Sequence, residues 1–236
     1  QTPNPKPQTP LSFSIESKSK SSVIIRIMDT SRQLPSPWDL WLIDTNAAQE
    51  TTPTNFFARM RLVLSVSTLG ELVGLYARLK KPKEMLGGCE TFFFRKGVKP
   101  LWEDKENLNG GCLFLHIKKT FSNRIWENLL CSVVAEHSPE LKKVNGIIMR
   151  VLPLEVVFFV WTKEVNKAEE AFLIGWLRET AGLSSKIKLE FKPHPKTEEE
   201  KFIAVEEIKS LGATPKKDPS EAERKDPPSP RGFEPV

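Results

Sequence analysis

Cysteine and histidine are scarce in this chain of 236 residues, which contains three of each. The cysteines are odd in number, lie far apart and form no CxxC pair; they are Cys89, Cys112 and Cys131. This pattern argues against a disulfide framework and favours a reducing compartment, so we expect a cytoplasmic protein. No histidine stands at a zinc-ligand spacing from these cysteines, and we therefore expect neither a metal site nor a cofactor.

Long hydrophobic runs and catalytic signatures are also missing. No apolar stretch approaches the ~18–20 residues that a membrane helix needs, and the first residues show no signal-peptide pattern, so we expect no membrane association. The sequence contains no GxSxG, HExxH or P-loop motif. The glycine-rich loop and regular βαβ spacing of a Rossmann fold are absent as well. We therefore expect a binding protein rather than an enzyme.

A strong excess of one charge is absent too, because the formal net charge is only +5. This mild basic bias is compatible with an anionic ligand. It lacks the clustered Lys and Arg residues of a protein that binds nucleic acid through charge alone.

Proline, by contrast, is abundant and unevenly distributed. Only five of the 19 prolines lie between residues 38 and 192, and the others crowd the two ends of the chain. We predict a disordered extension over residues 1–35, a folded domain over 36–194, and a tail over 195–236 with one possible helix. The central domain is long enough to bury a core and fold alone.

The central domain alternates strands and helices in the order ββ, α, ββ, α, ββ, α, β. A strand over residues 60–66 is predicted to place four apolar side chains on one face: Met60, Leu62, Leu64 and Val66. A hairpin is expected to turn near Pro153, and a last strand is expected over residues 187–192. An apolar segment over residues 23–28 fits either an extra edge strand or a partner-binding segment. This order predicts an α+β fold in which three helices back one face of an antiparallel sheet.

Helix starts are marked by capping residues. Thr68 with Glu71, and Asn166 with Glu169, have the spacing of a capping box. Ser122 is predicted to cap the helix between them. A further helix is predicted over residues 197–211, where acidic residues crowd the first turn.

The tryptophans carry the clearest functional signal. Five of the six lie inside predicted elements, where the core is the simplest interpretation, whereas Trp102 lies in the polar loop KGVKPLWEDKENLNGG next to Glu103. A flat ring beside a carboxylate suits a purine, because the ring stacks on the base and the carboxylate accepts hydrogen bonds from guanine N–H groups. Methylation at N7 makes the base cationic and adds a cation–π contribution. The other interpretation is that Trp102 folds back onto its own domain.

The segment LGGCETFFFRKGVKPLWEDKENLNGG resembles the translation initiation factor 4E family, which binds the mRNA cap. LWLI before this segment, LLC in the second predicted helix and VWT late in the chain extend the resemblance over residues 38–194. The resemblance implies a curved antiparallel sheet of about eight strands, with three helices on its convex face and a cap pocket on its concave face.

The resemblance also implies roles for individual residues in the cap pocket. Trp102 would form one side of an aromatic sandwich around the base, Glu103 would hold the guanine edge, and Trp161 would lie beside the N7-methyl group. The other side of the sandwich falls on Phe56, or on Phe57 if the loop is displaced by one residue. Because Phe offers less stacking area than the Trp usual in the family, weaker cap affinity is expected.

The phosphate contacts of the family are not matched in this chain. The usual basic positions fall on four uncharged residues: Cys112, Leu152, Leu154 and Val157. The candidates that remain for the cap phosphates are Arg150, Lys163, Lys192 and the C-terminal tail.

A partner surface is expected on the convex face. The matching positions are Leu69, Glu127 and Leu130, and the Trp that usually completes this surface is replaced by Val73. Trp126 stands close by and is either a substitute for that Trp or a core residue. We predict an exposed apolar patch formed by Leu69, Val73 and Leu130.

Together these features predict a monomeric, non-catalytic protein that binds the 7-methylguanosine cap of mRNA in translation initiation. The expected protein partner is an initiation scaffold or a regulatory protein. The alternative is a translational repressor or partner scaffold of the same family with weak or altered cap binding. An enzyme acting on a nucleotide is the third possibility, and it lacks a nucleophile or metal constellation.

Overall fold

The computed structural model describes residues 29–43 and 59–210, which form two compact units, one up to His194 and one from Pro195 onward. The described part of the first unit contains seven strands: β1 Gln33–Ile43, β2 Met60–Thr68, β3 Glu90–Arg95, β4 Gly111–Lys118, β5 Val144–Val151, β6 Glu155–Thr162 and β7 Phe191–Pro193. It also contains three α-helices: α1 Leu69–Arg78, α2 Ser122–Ala135 and α3 Lys167–Thr180. Three short 3-10 turns cover Pro82–Glu84, Lys119–Phe121 and Glu140–Lys143.

The seven strands form one sheet in the order β2-β1-β3-β5-β6-β4-β7, and every neighbouring pair is antiparallel. This curved sheet with helices on one face confirms the predicted α+β fold. The described residues supply seven strands rather than about eight, and residues 23–28, the candidate for an extra strand, lie outside them. The hairpin predicted near Pro153 joins β5 to β6. Within residues 29–43 and 59–210, no helix has the length and apolar character that a membrane span requires.

Both predicted capping boxes are present, whereas the predicted cap at Ser122 is not. The Thr68 hydroxyl accepts a hydrogen bond from the Glu71 amide at 3.2 Å, and the Glu71 carboxylate accepts one from the Thr68 amide at 3.0 Å. Asn166 and Glu169 exchange the same bonds at the start of α3, at 3.0 and 2.9 Å. The prediction for Ser122 was wrong: a 3-10 turn runs directly into α2, so Ser122 is already helical and its hydroxyl donates to the Lys119 carbonyl at 2.7 Å.

The main core lies between the helices and the sheet, on the face that we call convex. It is built from side chains of all three helices and of six strands, with Trp38, Phe93, Trp126 and Phe158 among the largest. The Trp38 and Phe93 rings stack with centroids 5.1 Å apart, and Trp126 stacks on Phe158 at 6.0 Å. Most of the buried apolar side chains therefore lie on the convex side of the sheet.

The prediction that β2 keeps one apolar face was wrong, because the strand contains a bulge. Trp41 pairs with Leu62 while Leu40 pairs with Leu64, so Val63 is an extra residue with no partner in β1. The extra residue reverses the alternation of side chains. Leu64 therefore packs against the convex core, whereas Met60 lies on the opposite face.

The last strand is shorter than predicted. β7 covers Phe191–Pro193, and the predicted strand began at Ile187. The Arg178 guanidinium at the end of α3 donates to the carbonyls of Ser184 at 2.6 Å and Ile187 at 2.9 Å. These bonds hold the start of the predicted strand against α3, so Ile187 does not pair with the sheet.

The second unit contains helix α4, Glu198–Ser210, at the position of the helix predicted over residues 197–211. The Thr197 hydroxyl accepts from the Glu200 amide at 3.2 Å, and the Glu200 carboxylate accepts from the Thr197 amide at 3.1 Å. This reciprocal pair is a capping box that the sequence analysis did not identify.

Candidate nucleotide-binding site

A second apolar cluster lies on the opposite face of the sheet, which we call concave. Its buried members are Met60, Phe92, Phe94, Val98, Ile148 and Trp161. Trp102, from the loop between β3 and β4, is half-buried and packs against this cluster. The Trp102 and Trp161 ring centroids are 6.3 Å apart and the ring planes are within 10° of parallel. The structure thus brings together two of the predicted base-binding residues.

Trp102 was expected either to stack on a base or to pack on its own domain, and its position is compatible with both. Its ring does pack on its own domain, but on the concave wall beside Trp161 rather than in the main core. Glu103, next in the chain, is exposed. Phe56, the predicted second side of the sandwich, lies outside the described residues, as does Phe57.

Trp161 is held from two sides by other rings. Phe94 contacts it edge-on, with centroids 5.7 Å apart and planes at 78°. His194 lies against it at 4.3 Å between ring centroids. The His194 ring is only 4% exposed, and its Nε2 has no hydrogen-bond partner within the described part of the chain. Desolvation lowers the pKa of His194 to about 4, so the ring beside Trp161 is neutral at neutral pH.

The loop that carries Trp102 and Glu103 is tied together by its own polar residues. Asn107 is fully buried, and its Nδ2 donates to the carbonyls of Lys99 at 2.9 Å and Leu101 at 2.8 Å. The Asp104 carboxylate accepts from the amides of Lys99 and Glu106, both at 3.0 Å. The loop therefore has a defined shape, in which the turns on either side of Trp102 are closed by hydrogen bonds.

Asn145 of β5 and Lys163, the residue after β6, fix this loop in place. The Asn145 Nδ2 donates to the Asn107 Oδ1 and to the Glu106 carbonyl, both at 2.8 Å. Lys163 forms an ion pair with Glu106 at 2.8 Å, and the hydrogen bond from Lys163 lowers the pKa of the Glu106 carboxyl. At the end of the loop, a Cβ added to Gly110 would lie 1.8 Å from the Thr162 carbonyl oxygen, so only glycine permits this close approach.

The sequence analysis missed the residues that support the site: Asn107, Asn145 and His194. The density of Asn and Asp in the loop was the available signal, because these side chains often bond to nearby backbone groups in tight turns. Asn145 lies on β5 and His194 directly follows β7, both far from the loop in the chain, and no local pattern marks them.

Two of the three predicted phosphate-binding residues are paired with carboxylates. Arg150, on the concave face of β5, forms an ion pair with Glu90 of the neighbouring strand. Lys163 is paired with Glu106. Lys192 is exposed on β7, and its Nζ lies 5.3 Å from the centre of the Phe114 ring.

The uncharged residues at the usual basic positions are placed differently from one another. Leu152 and Val157 are buried, whereas Leu154 is exposed at the tip of the β5–β6 hairpin. Cys112 lies beside Trp161 in the sheet, and burial raises the pKa of its thiol. None of these four side chains supplies a positive charge to the concave face.

On the convex face, the predicted partner surface is only partly exposed. Leu69 and Val73 of α1 are half-buried, as is Glu127 of α2, whose carboxylate accepts from the Tyr76 hydroxyl at 3.3 Å. The predicted exposure of Leu130 was wrong, because this side chain is only 2% exposed. Trp126, for which two interpretations were open, is only 1% exposed. Both side chains belong to the main core because α2 turns them toward the sheet. Trp126 is therefore a core residue, and the exposed patch does not include Leu130.

Comparison with known proteins places this architecture among translation factors. The family model described as "Eukaryotic initiation factor 4E" matches residues 33–207. The chain is 28% identical to eukaryotic translation initiation factor 4E-4 of Caenorhabditis elegans over 143 residues, 60% of this chain and 68% of that protein. It is 26% identical to human eukaryotic translation initiation factor 4E over 204 residues, 83% of this chain and 90% of that protein.

Solved structures share the fold. C. elegans eIF4E-3, in complex with the 4E-binding protein Mextli and a cap analog, aligns with a TM-score of 0.63 at 19% identity, covering 69% of this chain and 92% of that chain. Ascaris suum eIF4E-3 in complex with the m7G cap aligns with a TM-score of 0.63 at 18% identity, covering 71% and 94%.

Proposed function

Because the chain belongs to the eukaryotic initiation factor 4E family, we propose that it binds the 7-methylguanosine cap of mRNA in translation, in the cytoplasm and without a chemical step. The observation that carries this proposal is the parallel pair of Trp102 and Trp161 on the concave face, with the exposed Glu103 beside it. A fold neighbour in complex with the m7G cap gives further support.

Each base-binding residue has a distinct role in the proposed complex. Trp102 stacks on the base, with Phe56 as the opposite side of the sandwich. Glu103 accepts two hydrogen bonds from guanine N1–H and N2–H, each contributing about 1.5–3 kcal/mol because the acceptor is charged. Trp161 lies beside the N7-methyl group, where the positive charge of the methylated base favours aromatic faces.

A second candidate function is a repressor or scaffold with weak or altered cap binding. The observation that favours it is the loss of positive charge where the family binds phosphates, together with the pairing of Arg150 with Glu90 and of Lys163 with Glu106. Lys192 is the third predicted phosphate contact. A cap-binding site of this kind draws most of its affinity from the base.

We also propose that an initiation scaffold or a regulatory protein binds the convex face. A fold neighbour in complex with a 4E-binding protein supports a partner of this type. On this chain the surface available to it includes the half-buried residues Leu69, Val73 and Glu127. Trp126 and Leu130 support that surface from the core.

Titration of tryptophan fluorescence tests the cap-binding proposal directly. We expect 7-methylguanosine triphosphate to quench the fluorescence saturably and to bind at least tenfold more tightly than GTP, because only the methylated base is cationic. A protein that binds both nucleotides equally, or neither, would contradict the proposal. Equal binding of 7-methylguanosine and its triphosphate would favour the second candidate function, a repressor or scaffold with an altered phosphate site.

A further inference from the structure

Aromatic side chains continue along the concave face beyond the Trp102–Trp161 pair. In the pairing of β4 with β6, Cys112 lies opposite Trp161, Phe114 opposite Phe159, and His116 opposite Val157. The residues that alternate with these belong to the convex core: Leu113, Leu115, Val156, Phe158 and Val160. Phe114, His116 and Phe159 therefore lie on the same face as Trp161. We call these three residues the aromatic strip.

The rings of the aromatic strip are partly accessible. Phe114 and Phe159 are half-buried, and the His116 side chain is 30% exposed. The Phe114 and His116 rings meet edge to face, with centroids 6.0 Å apart and planes at 82°. Two residues along a strand span ~7 Å, so the Phe114–Phe159 pair is one such step from Trp161. Phe159 also packs against the concave cluster that holds Trp161.

Lys192 lies beside the aromatic strip, on the edge strand β7. It is opposite Cys112 in the pairing of β4 with β7, and its ammonium lies 5.3 Å from the centre of the Phe114 ring. The positive charge of Lys192 therefore lies beside the Phe114 ring, and its backbone is one strand away from Cys112, the neighbour of Trp161.

We propose that the aromatic strip stacks the first nucleoside that follows the cap, while Lys192 lies beside the phosphates that join the two. This inference rests on the proposed cap-binding function. Aromatic rings alternating with positive charge are the means by which proteins hold single-stranded nucleic acid without reading its sequence. The strip lies on the face that lacks the basic residues usual in the family, so stacking compensates there for missing charge.

The test compares two ligands on the full chain: 7-methylguanosine triphosphate and the same cap joined to adenosine. We expect the capped dinucleotide to bind about tenfold more tightly, within the range that one stacked base contributes. An analogue whose second nucleotide lacks its base should lose this gain, which separates stacking from the effect of extra phosphate and ribose.

Two variants test whether the aromatic strip causes the tighter binding of the capped dinucleotide. Phe114→Leu should abolish the tenfold gain while leaving the affinity for the mononucleotide unchanged. His116→Ala, at a partly exposed side chain, should reduce the gain and provides a second measurement if Phe114→Leu is unstable. Phe121→Leu is the matched control, because Phe121 is 64% exposed and lies outside the strip.

The outcomes separate this inference from the proposed function. If the mononucleotide binds but the dinucleotide gives no gain, or if both strip variants keep the gain, the strip has no role and cap binding stands. If the wild-type chain binds neither ligand, both proposals are overturned. A gain that an apolar peptide competes away, with no dependence on the second base, would identify the strip as a protein-binding surface and overturn the inference.

Discussion

Glu103 and Asp104 are adjacent carboxylates with different surroundings. The Asp104 carboxylate accepts hydrogen bonds from two backbone amides of its own loop, at Lys99 and Glu106. Glu103 is exposed beside the half-buried Trp102. At the scale of single residues, the Asp104 carboxylate supports the shape of the loop, whereas Glu103 remains a proposed ligand contact that a substitution can test.

Glu103→Ala should weaken binding of 7-methylguanosine triphosphate by about two orders of magnitude, because two charge-assisted hydrogen bonds are lost at about 1.5–3 kcal/mol each. The melting temperature should not change, since the side chain is exposed. Fluorescence titration and thermal unfolding measure the two effects, with the exposed Glu164→Ala as the control. Wild-type affinity in Glu103→Ala would refute the assignment of Glu103 to the guanine edge.

His194 should make the stability of the protein depend on pH. Its pKa is lowered to about 4 in the folded state by desolvation, whereas an unfolded histidine titrates near 6.5. Between these values only the unfolded state binds the proton, so the free energy of unfolding decreases as the pH falls from about 6.5 to about 4. The total loss is about 3 kcal/mol, since one pKa unit corresponds to about 1.4 kcal/mol.

The measurement is urea unfolding of wild type and His194→Gln at several pH values between 7 and 5, where carboxylates contribute less. The glutamine variant should lose stability less steeply. His137→Gln, which changes an exposed histidine, is the matched control. Identical slopes for wild type and His194→Gln would contradict the prediction.

The loop between β3 and β4 positions Trp102 and Glu103, and hydrogen bonds and an ion pair hold this loop in one conformation. Asn107 binds two carbonyls within the loop, and Asn145 connects it to β5. Lys163, just after β6, adds an ion pair. The position of Trp102 therefore depends on polar contacts to Asn145 of β5 and to Lys163 after β6, as well as on its own packing.

Asn107→Ala should lower the free energy of unfolding by about 2 kcal/mol, because buried polar groups of the loop and of Asn145 lose their partner. It should also weaken cap binding, since the loop is no longer held in one shape. Chemical denaturation and titration with 7-methylguanosine triphosphate measure both effects. Leu108→Ala, at an exposed side chain of the same loop, is the control; equal behaviour of the two variants would show that the bracing is unimportant.

Local signals in the sequence predicted the elements better than their contacts. The capping boxes at Thr68 and Asn166 depend on residues three positions apart, so they could be read directly. The bulge at Val63 depends on pairing with β1, and the burial of Trp126 depends on the packing of α2 against β6. These features are set by distant parts of the chain, as are the contacts that Asn145 makes with the site.

At the scale of the whole molecule, the sheet separates two surfaces. The main core and the helices lie on the convex face, and the smaller cluster with Trp102 and Trp161 lies on the concave face. Val73 of α1 is on the first of these surfaces. A change confined to one surface should therefore leave ligand binding on the other unaffected.

Val73→Asp should reduce binding of a partner helix at least tenfold, because a charge at a half-buried apolar position is costly to desolvate. Affinity for 7-methylguanosine triphosphate should stay at the wild-type value. Calorimetry with a 4E-binding peptide, and nucleotide titration, measure the two sites separately. Val63→Asp, which places the same charge on an exposed part of β2, is the control. Unchanged peptide affinity in Val73→Asp would place the partner elsewhere on the protein.

The strand order also determines when the concave site with Trp102 and Trp161 is completed during protein synthesis. In the described sheet, β4 pairs only with β6 and β7, which follow it in the chain. A nascent chain that has emerged as far as β5 therefore carries Trp102 on a loop whose following strand, β4, has no neighbour in the sheet. Pairings between distant segments form slowly, and domains fold as their sequence leaves the ribosome. Trp102 therefore stays without its neighbour Trp161 until β6 has left the ribosome and paired with β4.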